Sequence, residues 1–378
     1  MDDIDENDSM FEAEILPRLR LNTLQSCKLV SKTWLDHIKS PYFFYYHLEK
    51  SIQNHHLNLI FFGHNNTNSV ETFDAENLVP SVKTYDCFDL PSVTGTFRIV
   101  GSCNGLLCFK STDIRDECGN LSYNFVLYNP VTRVEKSFRV LPVFNLENKS
   151  CNLGFGFTCD NKNMDYKLVF ITGQEIHVYS LKTLSWKRIG DYPCKDWLWK
   201  TPEEHEARGV PTDNAIHWLS GKQLGEKSIF SIDLNNGGQQ FETPLNDTRT
   251  PKLVTLGGRL HLIFTRYTYG VDENPVYTFG IDIWVMRKYG CFDDSCVRLF
   301  KVRIDDLKDF ATPVSIREGG RKVLLQLVHF RESKKKHSYV WYDLVTKECD
   351  CKVHEVSAYG VMEPCLETLV DPRFYRSE

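Results

Sequence analysis

Cysteine and histidine are the side chains best suited to metal or nucleophilic chemistry, and this chain has 13 and 12 of them in 378 residues. Their spacing decides whether they do any. Cys349 and Cys351, with His354 close behind, are ligand-type residues near one another. In a strand the two thiols would share one face. A zinc site needs about four ligands in a tetrahedron, so plain burial satisfies this pattern equally well. Cys291 and Cys296 flank an acidic hairpin tip and read as structural. His217 and His261 lie in apolar runs, where a packed, hydrogen-bonded imidazole is expected. Gly154-Phe155-Gly156 reads as a turn, not a phosphate cradle, because no glycine-opened helix follows. Lys334–Lys336 with His337 reads as a solvated hairpin loop, with a nuclear localisation signal as the lesser alternative. There is no G-x-S-x-G elbow, Walker loop or H-E-x-x-H. The expectation is no catalytic residue, no metal ligand, no cofactor and no enzyme.

Binding is the other chemistry that side chains can do. Two segments hold aromatics in polar, loop-like surroundings: Tyr192–Lys200, with Trp197 and Trp199, and Arg266–Tyr277, with Tyr267, Tyr269 and Tyr277. Exposed rings are favoured interface anchors, and these five are the candidate target contacts, although packing between sheets would explain them too.

Two kinds of element must position such residues. The first fifty residues are helical in pattern. Residues 1–8 are acidic and polar, with the composition of a disordered tail. A helix is then expected over Ser9–Leu19, with Phe11, Ile15 and Leu19 at i, i+4, i+8 and Leu16 beside them. Pro17 should end or bend it. A second helix is expected after Asn22 or Thr23, either of which can cap it. Its apolar face would be Leu24, Cys27, Val30, Trp34 and Ile38, and Ser40-Pro41 would stop it. A third is expected from Tyr42 to about Ile52. This is much apolar surface for so small a module, which suggests that part of it faces another protein.

From Leu57 onward the pattern changes to short β-prone runs broken by Gly, Asn, Asp and Pro. Examples are LNLIFF, GLLCF, YKLVFI, AIHWL, IFSIDL, RLHLIF, DIWVM, VLLQLV and YVWYDL. First-strand starts recur at intervals of 44 to 64 residues. A period near 50 with several strands per unit is the signature of propeller blades, which bury their faces by stacking. The expected fold is therefore mainly β: a helical module at 9–52, a β-propeller-like domain of five or six blades at 53–370, and a tail at 371–378. A β-sandwich with long insertions is the alternative.

Composition bounds the function. A net charge of −5 and a pI near 6.2 argue against a nucleic-acid binder. No run approaches the roughly 20 apolar residues of a membrane span, and the acidic start MDDIDENDSMFEAE is unlike a secretory signal. A cytoplasmic or nuclear protein with reduced cysteines is expected, so the Asn-x-Ser/Thr sequons at Asn65, Asn120, Asn148 and Asn246 read as chance matches.

The pattern EIL-x-RL, then L-x-x-C-x-x-V-S-K-x-W, then I-x-SPYF-x-x-x-HL resembles the F-box of plant F-box proteins. That resemblance implies docking on a Skp-type adaptor, and through it a cullin. It gives the adaptor-contact role to Phe11, Ile15, Leu16, Leu19, Leu24, Val30 and Trp34. Two departures touch the first helix: Asn7-Asp8 stand where the family has Leu-Pro, and Arg20 stands where it tends to have Pro, with Pro17 a turn early. Downstream, IVGSCNGLLCF, LYNPVTR, LGFGFTCDNKNMDYKLV, VYSLKTLSWKRI, GVPTDNAIHWL and DIWVMRKYG resemble, in order, the signatures of kelch-like F-box-associated domains, including those of the self-incompatibility locus group. This second resemblance implies that the β domain holds an unknown protein substrate. The two together imply the substrate-recognition subunit of an SCF-type ubiquitin ligase. The alternatives are a degenerate F-box protein acting as a non-ligase interaction module and, remotely, a propeller hydrolase, for which no ordered carboxylate motif is present.

Overall fold

The computed structural model describes residues 14–54, 56–62, 70–75, 79–85, 97–111, 114–115, 121–140, 153–160, 162–172, 175–192, 198, 207–212, 215–221, 227–234, 239–245, 249, 251–269, 277–288, 296–304, 310–331, 334–349, 354–356 and 362–374. Phe11, Trp197, Trp199, Cys291, Cys351 and the acidic residues 1–8 lie outside them. The chain forms two compact units. One comprises Met1–Ile114, Ser122–Val140 and Val361–Glu378; the other comprises Arg115–Leu121 and Leu141–Gly360.

The first unit opens with a single 3-10 turn at Leu16–Arg18, followed by α1 (Leu21–Cys27), α2 (Lys32–Ile38) and α3 (Pro41–Gln53). In the first segment Glu14 and Ile15 are helical and run into the 3-10 turn at Leu16–Arg18, and Leu19 is already extended at ψ 148°, so the winding ends at Pro17 as expected; residues 9–13 of the expected helix lie outside the described ones. A proline can start a helical turn but cannot donate within one. One expectation is corrected: the expected second helix is two. Ser31 leaves the helical region at φ −154°, ψ 162°, and its hydroxyl accepts the Trp34 N–H at 3.1 Å. That cap begins α2 afresh and turns Leu29 and Val30 away from the core. Ser40 does the same for α3, accepting from Phe43 N–H at 3.2 Å with Pro41 at the first helical position.

Leu16, Leu21, Leu24, Cys27, Ile38 and Phe43 form one buried cluster with Leu369 from the C-terminal segment; Leu19, Trp34, Phe44 and Val131 pack around it half-buried. The helices therefore share their core with the sheets of their own unit.

Six antiparallel sheets follow in the described residues. In the last four of them four strands run as a meander, consecutive in sequence, which is the arrangement of propeller blades. The first sheet is Leu57–Phe62, Val70–Asp74 and Val79–Tyr85, with Met362–Leu366 from the far end of the chain beside its first strand. The second is Phe97–Cys103, Leu106–Ser111, Leu121–Asn129 and Val134–Val140, with Ile114–Arg115 at its edge. Asn104-Gly105, both at positive φ (50° and 79°), make its first hairpin turn. A Cβ on Gly105 would lie 2.2 Å from Thr368 Oγ1, so glycine is also required for the C-terminal segment to pass.

The second unit holds the other four sheets. The third is Leu153–Asp160, Asp165–Thr172, Glu175–Ser180 and Ser185–Asp191, with a short parallel strand at Ala207–Arg208. The fourth is Val210–Pro211, Ala215–Gly221, Lys227–Asp233 and Gln239–Leu245. The fifth is Lys252–Leu256, Arg259–Tyr269, Tyr277–Met286 and Cys296–Ile304. The sixth is Phe310–Arg317, Lys322–Arg331, Lys334–Asp343 and His354–Val356. Gly154 and Gly156, read above as a turn, lie inside the first strand of the third sheet. A Cβ on Gly156 would come within 2.1 Å of Ile216 Cδ1, and one on Gly154 within 2.6 Å of Leu198 Cδ1. The glycines thus open space for the fully buried Trp218 and Ile216 of the next sheet. Lys334–His337 are also strand, not loop: Arg331 pairs with Lys334 and Val328 with His337.

Candidate docking surfaces

Neither histidine expected in the core is poised for chemistry. His217 is buried, with Nδ1 2.7 Å from Ser231 Oγ and Nε2 3.2 Å from Thr212 Oγ1, and burial holds its pKa down at about 3. His261 Nδ1 donates to the Arg259 carbonyl at 2.9 Å, and burial lowers its pKa as well. Cys296 is buried, with its thiol pKa raised to about 12 by desolvation. Cys349 is exposed, and its backbone bridges to Tyr342. No group of three or more His, Cys, Asp or Glu stands in metal-binding range among the described residues.

The helical module has a different character. Eight large apolar or aromatic residues are exposed among the described ones, and five of them fall in its forty residues: Ile15, Leu29, Val30, Tyr42 and Tyr45. Leu29 is 88% exposed and Val30 63%. The expected adaptor contacts therefore divide. Ile15 and Val30 face solvent, and Leu19 and Trp34 are half-buried, whereas Leu16 and Leu24 are fully inside the cluster. Leu29 was missed because it lies one position outside the periodic face; only the cap at Ser31 turns it out.

What holds this module in place was also invisible in the sequence. Arg20 bonds Asp74 Oδ2 at 2.6 Å from Nη1 and Glu367 Oε2 at 3.1 Å from Nη2. The other oxygen of Glu367 accepts the Leu21 N–H at 2.7 Å, at the bare start of α1. Burial works to lower the Arg20 pKa, but the Asp74 hydrogen bond and the Glu367 charge outweigh it and raise it above its usual value. The position that departs from the family pattern is thus the joint between helices and sheet. Beside it, Asn129 donates to the carbonyls of Thr368 (3.0 Å) and Val370 (2.8 Å), and Thr368 Oγ1 donates to the Asn104 carbonyl at 3.1 Å. His47 Nε2–H donates to the Leu19 carbonyl at 3.1 Å, and burial depresses its pKa to about 4.

One of the two segments expected to be aromatic loops is corrected: Tyr267 and Tyr269 lie in the strand Arg259–Tyr269 and Tyr277 in the strand Tyr277–Met286, because their hairpin pairing runs almost to the turn, whereas Trp197 and Trp199 lie outside the described residues. Leu198, between Trp197 and Trp199, is buried and bridges Ser220, at the end of the second strand of the fourth sheet. Tyr267, Tyr269 and Tyr277 lie at the corresponding hairpin end of the fifth sheet, where Tyr267 pairs with Phe279 and Tyr269 with Tyr277. Close by, Asp282 is 2% exposed and shared by two arginines: Arg266, and Arg249 at 3.4 Å. Sequence reading passed over this cluster because its members are 16 and 33 residues apart.

The F-box associated beta propeller domain matches residues 57–366. The chain belongs to that family. F-box protein At4g22390 of Arabidopsis thaliana is 24% identical, over 89% of this chain and 85% of its own length. F-box protein CPR1 of the same plant is 25% identical, over 89% and 81%. Both matches run past the propeller domain to take in most of the chain, so the N-terminal helices and the sheets together make a plant F-box protein with an F-box-associated domain. Proteins of this family are generally substrate adaptors, not enzymes.

Proposed function

We propose that this F-box protein is the substrate-recognition subunit of an SCF-type ubiquitin ligase and has no catalytic step of its own. One observation carries the reading: exposed apolar side chains concentrate on the helical module, where Ile15, Leu29 and Val30 are turned out by the proline-started turn and the Ser31 cap. A solvent-facing cluster of this kind marks an interaction site. A Skp-type adaptor covers it, a cullin joins through the adaptor, and the β domain holds a protein target. Ubiquitination then follows from proximity, because tethering raises the effective concentration of target lysines near the charged enzyme. Such a receptor would act in the cytoplasm or nucleus.

The test is a pull-down of the full chain with a purified plant Skp-type adaptor, beside a Leu29→Ser/Val30→Asp variant and an Asn7→Leu/Asp8→Pro variant. The natural chain is expected to bind, and the first variant to lose binding with its fold intact. The burial of Leu16 and Leu24 favours a second reading, an interaction module without a ligase. Capture by the Asn7→Leu/Asp8→Pro variant alone would establish that reading in place of the first.

A further inference from the structure

We infer that the fifth sheet carries the recognition site for an acidic segment of the target, a peptide stretch rich in carboxylate or phosphate groups. The inference deepens the receptor reading above and rests on it for the word target; the binding itself does not depend on it.

Charge is unevenly spread along this part of the sequence: Asp272, Glu273, Asp293 and Asp294 fall in the segments that join the strands of the fifth sheet, and the strands themselves are cationic. The whole chain has a net charge of −5. Yet the four strands of the fifth sheet contain Lys252, Arg259, Arg266, Arg298, Lys301 and Arg303 against Asp282 alone. The register concentrates these cations. Asp282 pairs with Phe264 on one side and Lys301 on the other, and Trp284 pairs with Arg298 across a bulge. Directly paired residues project to the same face, as do residues two apart. Arg266, Asp282, Lys301, Trp284 and Arg298 therefore share one face.

The geometry on that face is built. Both carboxylate oxygens of Asp282 are engaged by arginines, Oδ1 by Arg266 and Oδ2 by Arg249. The Arg249 guanidinium also lies 4.9 Å from the centre of the Phe264 ring, and that of Arg298 lies 5.8 Å from Trp284. Phe264 and Trp284 meet edge to face at 6.4 Å. Rings and one carboxylate hold the arginines in set positions. A guanidinium has five N–H donors in a planar fork suited to carboxylate or phosphate. Arg298 and Lys301 are exposed and carry the cationic character toward solvent.

Charge complementarity selects the occupant. On this face rings and a carboxylate hold the cations in place, in a protein of net charge −5. A nucleic acid would call for a longer basic track, whereas a short acidic peptide fits a patch of four cations around one carboxylate.

The experiment measures fluorescence anisotropy of a labelled hexaglutamate peptide, and of a phosphoserine peptide of equal length, with the full chain. Hexalysine and single-stranded DNA serve as competitors. The expected result is salt-sensitive binding of an acidic peptide that DNA of equal length displaces poorly. Arg298→Glu with Lys301→Glu, both at exposed positions, should weaken it about tenfold or more with unchanged near-UV circular dichroism. Absence of acidic-peptide binding at low ionic strength would overturn the inference, as would binding indifferent to that double charge reversal. Tighter binding of DNA than of either peptide would overturn it in favour of a nucleic-acid site. The adaptor pull-down on the same sample separates the two readings: adaptor without peptide removes only this inference, and peptide without adaptor removes only the ligase.

Discussion

The helical module and the fourth sheet are both rich in apolar residues, yet they use them in opposite ways. Every residue of Ala215–Gly221 and of Lys227–Asp233 is buried, and glycines in the preceding sheet are hollowed out to receive Trp218 and Ile216. In the module, Leu16, Leu21 and Leu24 are buried while Leu29, Val30 and Tyr42 stand in solvent. A sheet can satisfy both its faces by stacking on its neighbours. Three helices of 7, 7 and 13 residues have only one core to fill, so the surplus faces outward. The difference separates a region stabilised by itself from one completed by a partner.

The contrast makes quantitative predictions. Trp218→Ala should cost about 4 kcal/mol in urea unfolding, because it empties a pocket whose glycine walls cannot collapse to fill it. Adaptor binding by the remaining folded protein should not change. An equal loss of adaptor affinity would show that the helices depend on the fourth sheet.

Glu367→Ala should cost about 3 kcal/mol, since it strands the Arg20 guanidinium and uncovers the Leu21 N–H. Hydrogen exchange should accelerate in α1 and leave Lys227–Asp233 protected. Uniform acceleration across both units would mean that Glu367 supports the whole fold.

Acid should loosen the module early. The folded pKa of His47, about 4, lies below its ordinary 6.5 because burial penalises the charged form. The stabilisation is therefore complete above pH 6.5 and is lost as pH falls from there through 4. One pKa unit corresponds to about 1.4 kcal/mol, so about 2 kcal/mol should go by pH 5. His47→Gln should flatten the pH dependence of helix unfolding followed by far-UV circular dichroism. An unchanged slope would assign the acid limb to the other buried histidines.

Leu29→Ser with Val30→Ser should change stability by less than about 0.5 kcal/mol, because neither contributes to the core. A cost above about 2 kcal/mol would place both residues in the core and remove the exposed patch.

Much of this was legible in advance. Short runs such as YKLVFI and RLHLIF, rich in β-branched and aromatic residues and bounded by turn residues, mark strands because those preferences are local, and Asn104-Gly105 marks a hairpin because few residues accept two positive φ values in succession. The helical pattern was legible too, but its continuity from Thr23 to Ile38 was not, because a serine can sit within a helix or cap a new one and only packing chooses. Gly154-Phe155-Gly156 misled for a related reason: a glycine's meaning depends on what approaches it, and here that is a tryptophan more than sixty residues downstream.

The sequence by itself determined the alternation of strands and turns, the separate helical start and the family signatures, all set by neighbours along the chain. The tertiary structure alone decided which of the F-box leucines are core, that Arg20 and Glu367 tie the first helix to the last residues of the chain, and that scattered cations converge on Asp282. Those pairings join residues tens to hundreds of positions apart, and no local propensity encodes a distance that only the closed fold brings within hydrogen-bond range.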